Sequence, residues 1–306
     1  MDVLKPKVAI GVCVRNCALT IREAIESIVA QDYPHDLLEV IVVDGYSTDK
    51  TVQIVKEVLS GSDIKTRIFF EDKGLGFARQ MVVDNAGGEY IIWVDGDMIL
   101  PKDFVRKQVE FMEKNPKVGI AKGRYGFLKE DSLVATLESM DFLTTFSLES
   151  RTLPDVLGTS GCIYRVKAIK EVGGFDKTIA GVGEDLDIEY RVKAAGWDLR
   201  ISSAYFYERR RKTWHALWQE YFWHGIGGFH VSRKKVKVWV RFPFKIVLSK
   251  FSQAVHAYQL TRMKKAFLLP LHYIFKRAAW ISGFLTEFMR VFYQKIKMKT
   301  LVCAFF

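Results

Sequence analysis

Apolar runs that stop at polar residues alternate with amphipathic segments through the first two thirds of the chain. Val8 to Val14 and Leu38 to Val43 have the β-rich composition of buried strands, and Arg67 to Phe70 predicts a third. Thr20 opens a helix between the first two runs, because apolar residues recur on one helical face at Ile21, Ile25, Ile28 and Val29. This alternation predicts an α/β fold with a Rossmann-like, mostly parallel sheet flanked by helices.

A fourth apolar run, Tyr90 to Val94, ends abruptly at Asp95, Gly96 and Asp97. Open α/β sheets bind ligands just beyond the carboxyl ends of their strands, and carboxylate oxygens suit a hard divalent cation that carries a phosphate. The hypothesis is therefore a metal-assisted nucleotide site at Asp95 and Asp97. The alternative is an ordinary Asp-Gly turn, since the same Asp-x-Asp spacing recurs at Asp185.

Two glycines follow the third predicted strand, in the segment from Lys73 to Arg79. Gly74 and Gly76 lack side chains, which allows a ligand to approach the backbone closely where a helix begins. The dinucleotide-binding fingerprint requires Gly-x-Gly-x-x-Gly after the first strand, and Gly11 to Arg15 does not supply it. The sequence therefore argues against a nicotinamide enzyme.

The chain has 306 residues, 49% of them hydrophobic, which is enough for one large core or for a core plus a smaller unit. This composition excludes a disordered or fibrous protein. Its cysteines lack Cys-x-x-Cys spacing and a histidine pattern, which indicates reduced thiols and no zinc site. Met1 to Lys7 lacks the apolar segment of a signal peptide, so the chain is expected to stay on the cytoplasmic side of the membrane.

Positive charge is concentrated in the last third of the chain. From Arg209 onward the sequence contains 20 of its 46 Lys and Arg residues but only 2 of its 35 Asp and Glu residues. An acidic body with a basic, aromatic tail indicates a partner of dense negative charge, either nucleic acid or an anionic lipid surface. Base-stacking aromatics on a recognisable nucleic-acid module are missing, so the lipid surface is favoured.

The basic tail has aromatic and apolar residues at helical spacing from Trp214 to Phe222, and the glycines within Gly225 to Gly228 are predicted to break this helix. Two later apolar runs lie on either side of Lys276 and Arg277. Each run is shorter than the about twenty residues that a membrane-spanning helix needs. The tail is therefore predicted to contain basic amphipathic helices that lie at the membrane interface, or a re-entrant hairpin.

Four motifs in order along the chain resemble the family 2 glycosyltransferases, which have the GT-A fold. They are Val8 to Asn16, Val42 to Asp49, Lys73 to Arg79, and Asp95 to Asp97. The resemblance implies a UDP- or GDP-linked sugar as the donor. The residues implied to contact its nucleotide are Asp44, Lys73, Arg79 and Asp95. Asp97 is implied to ligate Mn²⁺ or Mg²⁺ and so to bridge the diphosphate.

The second half of the body extends the resemblance through Gly158 to Arg165, a Gly-Gly-Phe-Asp turn at Gly173 to Asp176, and the acidic pair Glu184 and Asp185. Similar enzymes use these segments as an acceptor loop and a catalytic base, which implies Asp185 as the base. The implied acceptor and sugar contacts are Gly158, Thr159, Ser160, Gly161, Arg165 and Glu184. The alternative for the acids is a helix amino terminus, where carboxylates complement the macrodipole.

Glu208 stands where many relatives have a histidine that contacts the metal or the phosphate. A carboxylate also ligates a hard cation, so Glu208 is the second candidate metal ligand, although its charge is unfavourable beside a diphosphate. The basic run from Arg209 to Lys212 can offset that charge by binding phosphate, with Arg209 and Arg211 as the named candidates. The alternative is that they belong to a solvated basic linker.

These motifs together predict an inverting, metal-dependent glycosyltransferase, with a catalytic domain over residues 1–210 and a membrane-associating helical region over residues 211–306. A bare polyprenyl phosphate is already anionic and has little need of a base, so Asp185 favours a hydroxyl acceptor such as a lipid-linked saccharide. Two alternatives stay open: a polyprenyl-phosphate synthase similar to dolichyl-phosphate mannose synthases, and a non-catalytic sugar- or nucleotide-binding membrane protein. The expected location is the cytoplasmic face of the cell membrane.

Overall fold

The computed structural model describes residues 5–147, 156–179, 181–233 and 244–303. Within these residues the strands are β1 Val8–Val14, β2 Leu38–Asp44, β3 Lys65–Phe70, β4 Tyr90–Trp93, β5 Met98–Ile99, β6 Val118–Tyr125, β7 Cys162–Arg165 and β8 Asp198–Glu208. The helices are α1 Ile21–Val29, α2 Thr51–Ser60, α3 Leu75–Asn85, α4 Phe104–Lys114, α5 Leu133–Thr145, α6 Val166–Glu171, α7 Glu184–Ala194, α8 Trp214–Ser232, α9 Phe244–Thr261 and α10 Leu269–Cys303. Short 3-10 helices cover His35–Leu37 and Lys264–Leu268.

The fold is built on one mixed sheet with the strand order β3-β2-β1-β4-β7-β6-β8-β5. The strands β1 to β4 are parallel to their neighbours in this group, whereas β7 runs antiparallel to β4 and β6, and β5 runs antiparallel to β8. Parallel neighbours need crossover connections, which α1, α2 and α3 supply. The α/β prediction is confirmed, and β3 begins two residues before the predicted start at Arg67.

Burial explains why these segments take their observed forms. Every residue of β2 is buried, as expected for a strand with a neighbour on each side and a covered face above and below. The predicted apolar face of α1 is also buried, at Ile21, Ile25 and Ile28. Each such side chain contributes about 1.5–3 kcal/mol by leaving water. This packing fixes β1, β2 and β4 so that the residues after them emerge at one edge of the sheet.

Helix α8 continues through Gly225 to Gly228, so the prediction that these glycines break the helix is wrong. A β-carbon at Gly225 would overlap the carbonyl oxygen of Trp280, and one at Gly283 would overlap that of Phe222. The glycines therefore let the backbones of α8 and α10 touch. Close packing here offsets the cost of about 1 kcal/mol that a glycine imposes in a helix interior.

A set of buried charges joins α5 to α9 and α10. We call it the interface cluster; its members are Glu138, Asp141, Lys250, His272 and Lys276. The Lys276 Nζ lies 2.5 Å from Asp141 Oδ2 and 2.8 Å from Glu138 Oε1, and the Lys250 Nζ lies 3.0 Å from Asp141 Oδ1. Burial raises the pKa of Asp141, but the two ammonium groups more than offset this and hold it well below its usual range. The cluster ties the C-terminal helices to a helix that packs on the mixed sheet.

The outer surface of the C-terminal helices carries exposed apolar side chains. Leu271 and Ile274 share one face of α10, and Phe267 is exposed in the preceding 3-10 helix beside Lys264 and Lys265. Further exposed apolar side chains are Phe251, Val255, Leu260, Leu268, Phe288 and Phe292. We call these residues the apolar surface. No helix within the described ranges has the length and apolar character needed to cross a membrane.

Candidate active site

Asp44 ends β2 and lies at the edge of the sheet where the predicted ligand site falls. Its side chain is completely buried. The carboxylate accepts hydrogen bonds from the Ser47 N–H at 2.7 Å and from the Ser47 Oγ–H at 2.6 Å. Asp44 therefore shapes the turn after β2, and its contact with a nucleotide stays a prediction.

The Gly-x-Gly segment lies at the same edge, after β3. Gly74 has a φ of 110°, a left-handed conformation that favours glycine. A β-carbon at Gly76 would lie 2.5 Å from the carbonyl oxygen of Asp176, so Gly76 admits protein backbone rather than the ligand that the sequence led us to expect. The Lys73 side chain is exposed, with its Nζ 4.5 Å from the centre of the Phe77 ring.

Arg79 joins acids from two distant parts of the sequence. Its Nε lies 2.9 Å from Glu184 Oε1, and its Nη2 lies 4.0 Å from Asp95 Oδ1. The guanidinium packs 5.3 Å from the centre of the Trp93 ring. Burial lowers the pKa of Arg79, but the charges of Glu184 and Asp95 raise it further, so the group stays cationic. The structure gives the Arg79 guanidinium two carboxylate neighbours, and the nucleotide contact that the sequence assigns to it stays a prediction.

The predicted acceptor loop, residues 158–161, sits directly on the end of β4. The Ser160 hydroxyl donates a hydrogen bond to Asp95 Oδ2, and the Gly161 N–H donates to the carbonyl oxygen of Trp93 at 3.0 Å. Gly158 and Gly161 have φ values of 70° and 64°, which only glycine adopts readily. The structure thus brings the predicted acceptor loop and the Asp95 motif together.

Asp97 and Glu208 approach each other because β5 pairs with β8, with Met98 opposite Glu208. Burial, reinforced by the charge of Asp95, raises the pKa of Asp97 to about 6. Burial also raises the pKa of Glu208 to about 8, and the charge of Asp97 adds to this effect. The Glu208 Oε2 atom is buried without a hydrogen-bond partner. A cation between these two carboxylates would neutralise both.

The donor set suits the divalent cation that the fold family implies. Within the described ranges, no group of three or more His, Cys, Asp or Glu residues is arranged to enclose a metal. Mg²⁺ is commonly held by one or two carboxylates, with substrate phosphates and water completing the octahedron, and Mn²⁺ accepts the same oxygen ligands. Asp97 and Glu208 therefore fit a cation that a diphosphate would share.

Two of the arginines after β8 were predicted to bind phosphate, and they have different surroundings. Arg209 forms an ion pair with Glu23 on α1, with 2.9 Å between Nη2 and Oε1. Arg211 pairs with Glu220 at 2.9 Å and lies close enough to Asp97 to lower its pKa. The structure therefore brings Arg211 near the site, whereas the guanidinium of Arg209 is engaged on the surface.

Arg210 is a site residue that the sequence did not single out. Its Nη1 lies 2.6 Å from Glu208 Oε1, and its guanidinium packs 3.9 Å from the centre of the Phe142 ring on α5. The sequence shows three consecutive arginines but not which of them faces inward. The pairing of β5 with β8 makes that selection, because it turns Glu208 and Arg210 to the same buried side.

Helix α7 carries the candidate base in its first turn, where Asp185 is partly exposed. Its neighbour Glu184 is buried against Arg79, and this burial together with the charge of Asp185 raises the pKa of Glu184 to about 8. Asp187 instead pairs with Arg191 at 2.5 Å, one turn later. The second Asp-x-Asp thus supplies one acid to the site and one, which is buried, to an ion pair within α7.

Glu189 is a second residue that the sequence reasoning missed. It is buried one turn beyond Asp185 and accepts the Leu157 N–H at 2.8 Å and the Gly158 N–H at 2.7 Å. Burial and the charge of Asp185 raise its pKa to about 8. The i, i+4 spacing from Asp185 is the sequence signal that could have found it.

Arg165 does not lie at the acceptor loop, which corrects the expectation from the sequence. Strand β7 runs antiparallel to β4, so Arg165 pairs with Tyr90 at the opposite end of the sheet. Its guanidinium donates hydrogen bonds to the carbonyl oxygens of Val118 at 3.1 Å and Met112 at 3.0 Å. Arg165 therefore anchors the far ends of β6 and α4.

A mostly parallel sheet that gathers Asp95, Asp97, Glu208 and a glycine-rich loop beneath an acidic helix defines the GT-A class of glycosyltransferases. The profile of the family described as "Glycosyl transferase family 2" matches residues 9–173, more than half of the chain. The chain belongs to glycosyl transferase family 2. The resemblance found in the sequence is thereby confirmed.

Named relatives are similar to much of this chain. A poly-beta-1,6-N-acetyl-D-glucosamine synthase of Staphylococcus epidermidis is 22% identical over 251 residues, which cover 80% of this chain and 57% of that protein. Glucomannan 4-beta-mannosyltransferase 2 of Arabidopsis thaliana is 28% identical over 195 residues, covering 56% of this chain and 36% of that protein. The chain spans about half the length of the curated relatives it matches.

Two solved structures are similar in fold. A mannosyltransferase from Pyrobaculum calidifontis in complex with GDP-Man and Mn²⁺ has a TM-score of 0.64 at 18% identity, covering 94% of this chain and 88% of that one. TarS of S. aureus has a TM-score of 0.51 at 18% identity, covering 91% of this chain and 54% of that one. At these identities the likeness establishes the GT-A fold.

Proposed function

We propose that the protein is an inverting glycosyltransferase that moves a hexose from a nucleotide sugar to a hydroxyl group of a lipid-linked saccharide at a membrane surface. The observation that carries this proposal is the Arg79 bridge, which joins Asp95 of the donor side to Glu184, the neighbour of the candidate base. Similar proteins named as a polysaccharide synthase and a mannosyltransferase support transfer to sugar hydroxyls.

The donor end of the proposed site consists of Asp95, Asp97 and Glu208. Asp97 and Glu208 would hold Mn²⁺ or Mg²⁺, which as a Lewis acid stabilises negative charge on the leaving diphosphate. Ser160 and Arg79 fix the Asp95 carboxylate, so its orientation is set before a nucleotide arrives. Preorganised groups of this kind need no rearrangement as charge develops.

At the acceptor end, Asp185 is the proposed general base. A hydroxyl oxygen becomes a good nucleophile as its proton passes to a carboxylate, and this step contributes about 10²- to 10⁴-fold to a rate. The acceptor loop below Asp185 holds the sugar in line with the diphosphate, which supplies much of the remaining acceleration. Attack opposite the leaving group inverts the anomeric carbon.

The proposed membrane contact is the apolar surface. Exposed Phe267 and Leu271 lie beside Lys264 and Lys265, a combination that suits the boundary between anionic headgroups and acyl chains. Each basic residue near an anionic leaflet contributes about 1 kcal/mol of attraction. The helices would lie in the plane of the interface and hold the proposed active site near a lipid-linked acceptor. We call the end of the sheet that carries this site, with Asp95, Asp97, the acceptor loop and Asp185, the catalytic edge.

Donor binding is tested by thermal unfolding with UDP, GDP and their sugars, each with and without Mn²⁺. The matching nucleotide raises the apparent Tm only when the cation is present, because ligand binding stabilises the folded state by mass action. Asp97→Ala abolishes the cation-dependent part of the shift. A full shift in Asp97→Ala would remove Asp97 from the metal site.

Acceptor class is tested by incubating the bound nucleotide sugar with phytanyl-diphosphate N-acetylglucosamine or with phytanyl phosphate. Transfer to the saccharide, with inverted anomeric configuration by NMR, is the expected result. Transfer to the bare phosphate alone would establish the polyprenyl-phosphate synthase instead. Nucleotide binding without transfer to either acceptor would favour the non-catalytic binding protein.

Membrane association is tested by flotation with phosphatidylcholine vesicles that contain or lack phosphatidylglycerol. The wild-type chain is expected to float with the anionic vesicles, and the double variant Phe267→Ser, Leu271→Ser is expected to stay at the bottom. Tyr190→Ser, which alters an exposed aromatic residue on α7, is the matched control. Equal flotation of all three proteins would contradict the proposal that the apolar surface contacts the membrane.

A further inference from the structure

Lys122 is a buried lysine on β6 that the proposed mechanism has not used. Its side chain is 1% exposed. Its Nζ lies 5.0 Å from the ring centres of Tyr125 and Phe146 and 5.8 Å from that of Phe206. The faces of aromatic rings attract a cation, and a hydrogen bond with Tyr125 and the charge of Glu208 also favour the ammonium form.

Lys122 differs from the other two buried cations around the site. Arg79 is paired with Glu184 at 2.9 Å, and Arg210 is paired with Glu208 at 2.6 Å. Across the described ranges, Lys122 forms no direct ion pair, although the charges of Glu189 and Glu208 act on it from a longer distance. A buried charge without an ionic partner is costly, so it persists where a ligand completes its surroundings.

The acceptor loop places Lys122 opposite the candidate base. A β-carbon built on Gly158 would lie 3.7 Å from Asp185 Oδ2 and 3.8 Å from Lys122 Nζ. Both groups therefore flank the same side of Gly158. Gly158 presents only a hydrogen atom between them, so an acceptor oxygen can approach closer to this backbone than any side chain would allow, and the φ of 70° favours glycine here.

We propose that Lys122 and Asp185 hold the attacking hydroxyl group of the acceptor between them, an inference that rests on the proposed transferase function. Asp185 accepts the hydroxyl proton, and Lys122 donates a hydrogen bond to the same oxygen. A hydroxyl group is the chemical class that suits this pair, since it offers a proton to one neighbour and a lone pair to the other. A phosphate oxygen would be repelled by Asp185.

Transfer moves one proton and exchanges one bond at the anomeric carbon. The hydroxyl proton passes to the Asp185 carboxylate, and an oxygen lone pair forms the bond to the anomeric carbon. The bond from that carbon to the diphosphate breaks, and its electron pair leaves on the diphosphate. Lys122 stabilises the partial negative charge on the attacking oxygen while the proton moves, as an oxyanion donor does.

The test compares Lys122→Met with wild-type protein, using the donor and the phytanyl-linked acceptor that wild type accepts. Transfer is expected to fall by about 100-fold or more, the usual effect of losing one such donor. The acceptor KM rises and kcat falls, whereas the Tm shift caused by nucleotide and Mn²⁺ is unchanged. Lys122→Gln, which keeps an N–H donor, loses less activity and serves if the methionine variant does not fold. Lys117→Met is the matched control, because it makes the same change at an exposed position just before β6.

Either of two results would overturn the role of Lys122. One is a wild-type transfer rate in Lys122→Met. The other is a nucleotide-dependent Tm shift that is lost in parallel with transfer. In either case the proposed function survives, because wild-type transfer is measured in the same experiment. A wild-type protein that binds nucleotide but transfers to neither phytanyl acceptor would overturn both. Equal losses in Lys122→Gln and Lys122→Met would show that an N–H donor alone is insufficient, contrary to the proposal.

Discussion

Two groups of buried charge meet at α5, and they differ in how their charges are matched. In the interface cluster, Glu138 and Asp141 both contact Lys276 within 2.8 Å. At the catalytic edge, Asp97 and Lys122 form no ion pair with any residue that the structure describes. Adjacent residues of α5 serve the two groups, since Asp141 contacts Lys276 and Phe142 packs on Arg210.

This difference separates structural charges from functional ones. A buried ion pair that is fully matched holds elements in register, and removing one partner leaves the other exposed to a large desolvation cost. Charges that stay unmatched in the folded chain lower its stability and persist where a substrate or cation completes them. Substitutions in the two groups should therefore have opposite consequences.

The largest expected effect belongs to the catalytic edge. Asp185→Asn should reduce transfer by about 10²- to 10⁴-fold, because the acceptor hydroxyl loses its base. The Tm should stay the same or rise, since an unmatched acid is removed. Steady-state kinetics and thermal unfolding on the same preparation measure both quantities, and retained turnover would count against Asp185 as the base.

The next largest effect belongs to the interface cluster. Lys276→Met leaves Glu138 and Asp141 buried without their main partner and should lower the free energy of unfolding by about 3–5 kcal/mol. Urea titration measures the loss. The triple variant with Glu138→Gln and Asp141→Asn should recover most of it, because the stranded charges are gone. A loss below about 1 kcal/mol in the single variant would contradict the comparison.

Acidification should weaken the interface cluster. Burial and the charge of Lys276 lower the pKa of His272 to about 4 from an ordinary 6.5, so protonation favours the unfolded chain. The stability held by neutral His272 is complete above pH 6.5 and is lost as the pH falls toward 4, by up to about 3 kcal/mol.

Three buried acids around the proposed site titrate with the opposite sign. Burial raises the pKa values of Glu184, Glu189 and Glu208, so their contribution to stability is present below about pH 4.5 and is lost as the pH rises through about 8.

The contribution of His272 is separated from that of these acids by a comparison of wild type with His272→Asn. The difference in unfolding free energy between the two proteins is measured from pH 7 to pH 4.5. A difference that does not change with pH would refute the assignment.

The smallest effect is expected at the exposed ion pair of Arg209 and Glu23. Arg209→Ala should change stability by less than about 1 kcal/mol, as is usual for solvated pairs. The nucleotide-dependent Tm shift should be unchanged, because the guanidinium points to α1 and not to the site. A clear loss of that shift would restore Arg209 to the phosphate-binding role that the sequence assigned to it.

Local pattern was sufficient to predict the parallel strands β1 to β4, but not the other strands of the sheet. β1 and β2 fall within a residue of their predicted ranges, because an unbroken apolar run has few alternatives to a buried strand. The position of Asp95 and Asp97 followed from the same rule, since residues after parallel strands share one edge. The contact of the acceptor loop with Asp95, through Ser160, is a finding of the structure.

The local sequence pattern could not predict the direction of side chains or the pairing of strands and helices that are distant in the sequence. Arg165 looked like part of the acceptor loop, but the antiparallel course of β7 carries it to the far edge. Gly225 signalled a helix break, yet contact with α10 overrides its low helix propensity. Lys122 and Lys276 are ordinary lysines in the sequence, and only the tertiary structure shows that both are buried.

The link between Lys276 and Asp141 also sets an order of events during synthesis. These residues are 135 positions apart, so the acids of α5 leave the ribosome well before the lysine that matches them. Until α10 is made, Glu138 and Asp141 lack their contacts with Lys276. Long-range contacts of this kind form late. The interface cluster is therefore completed only after α10 docks.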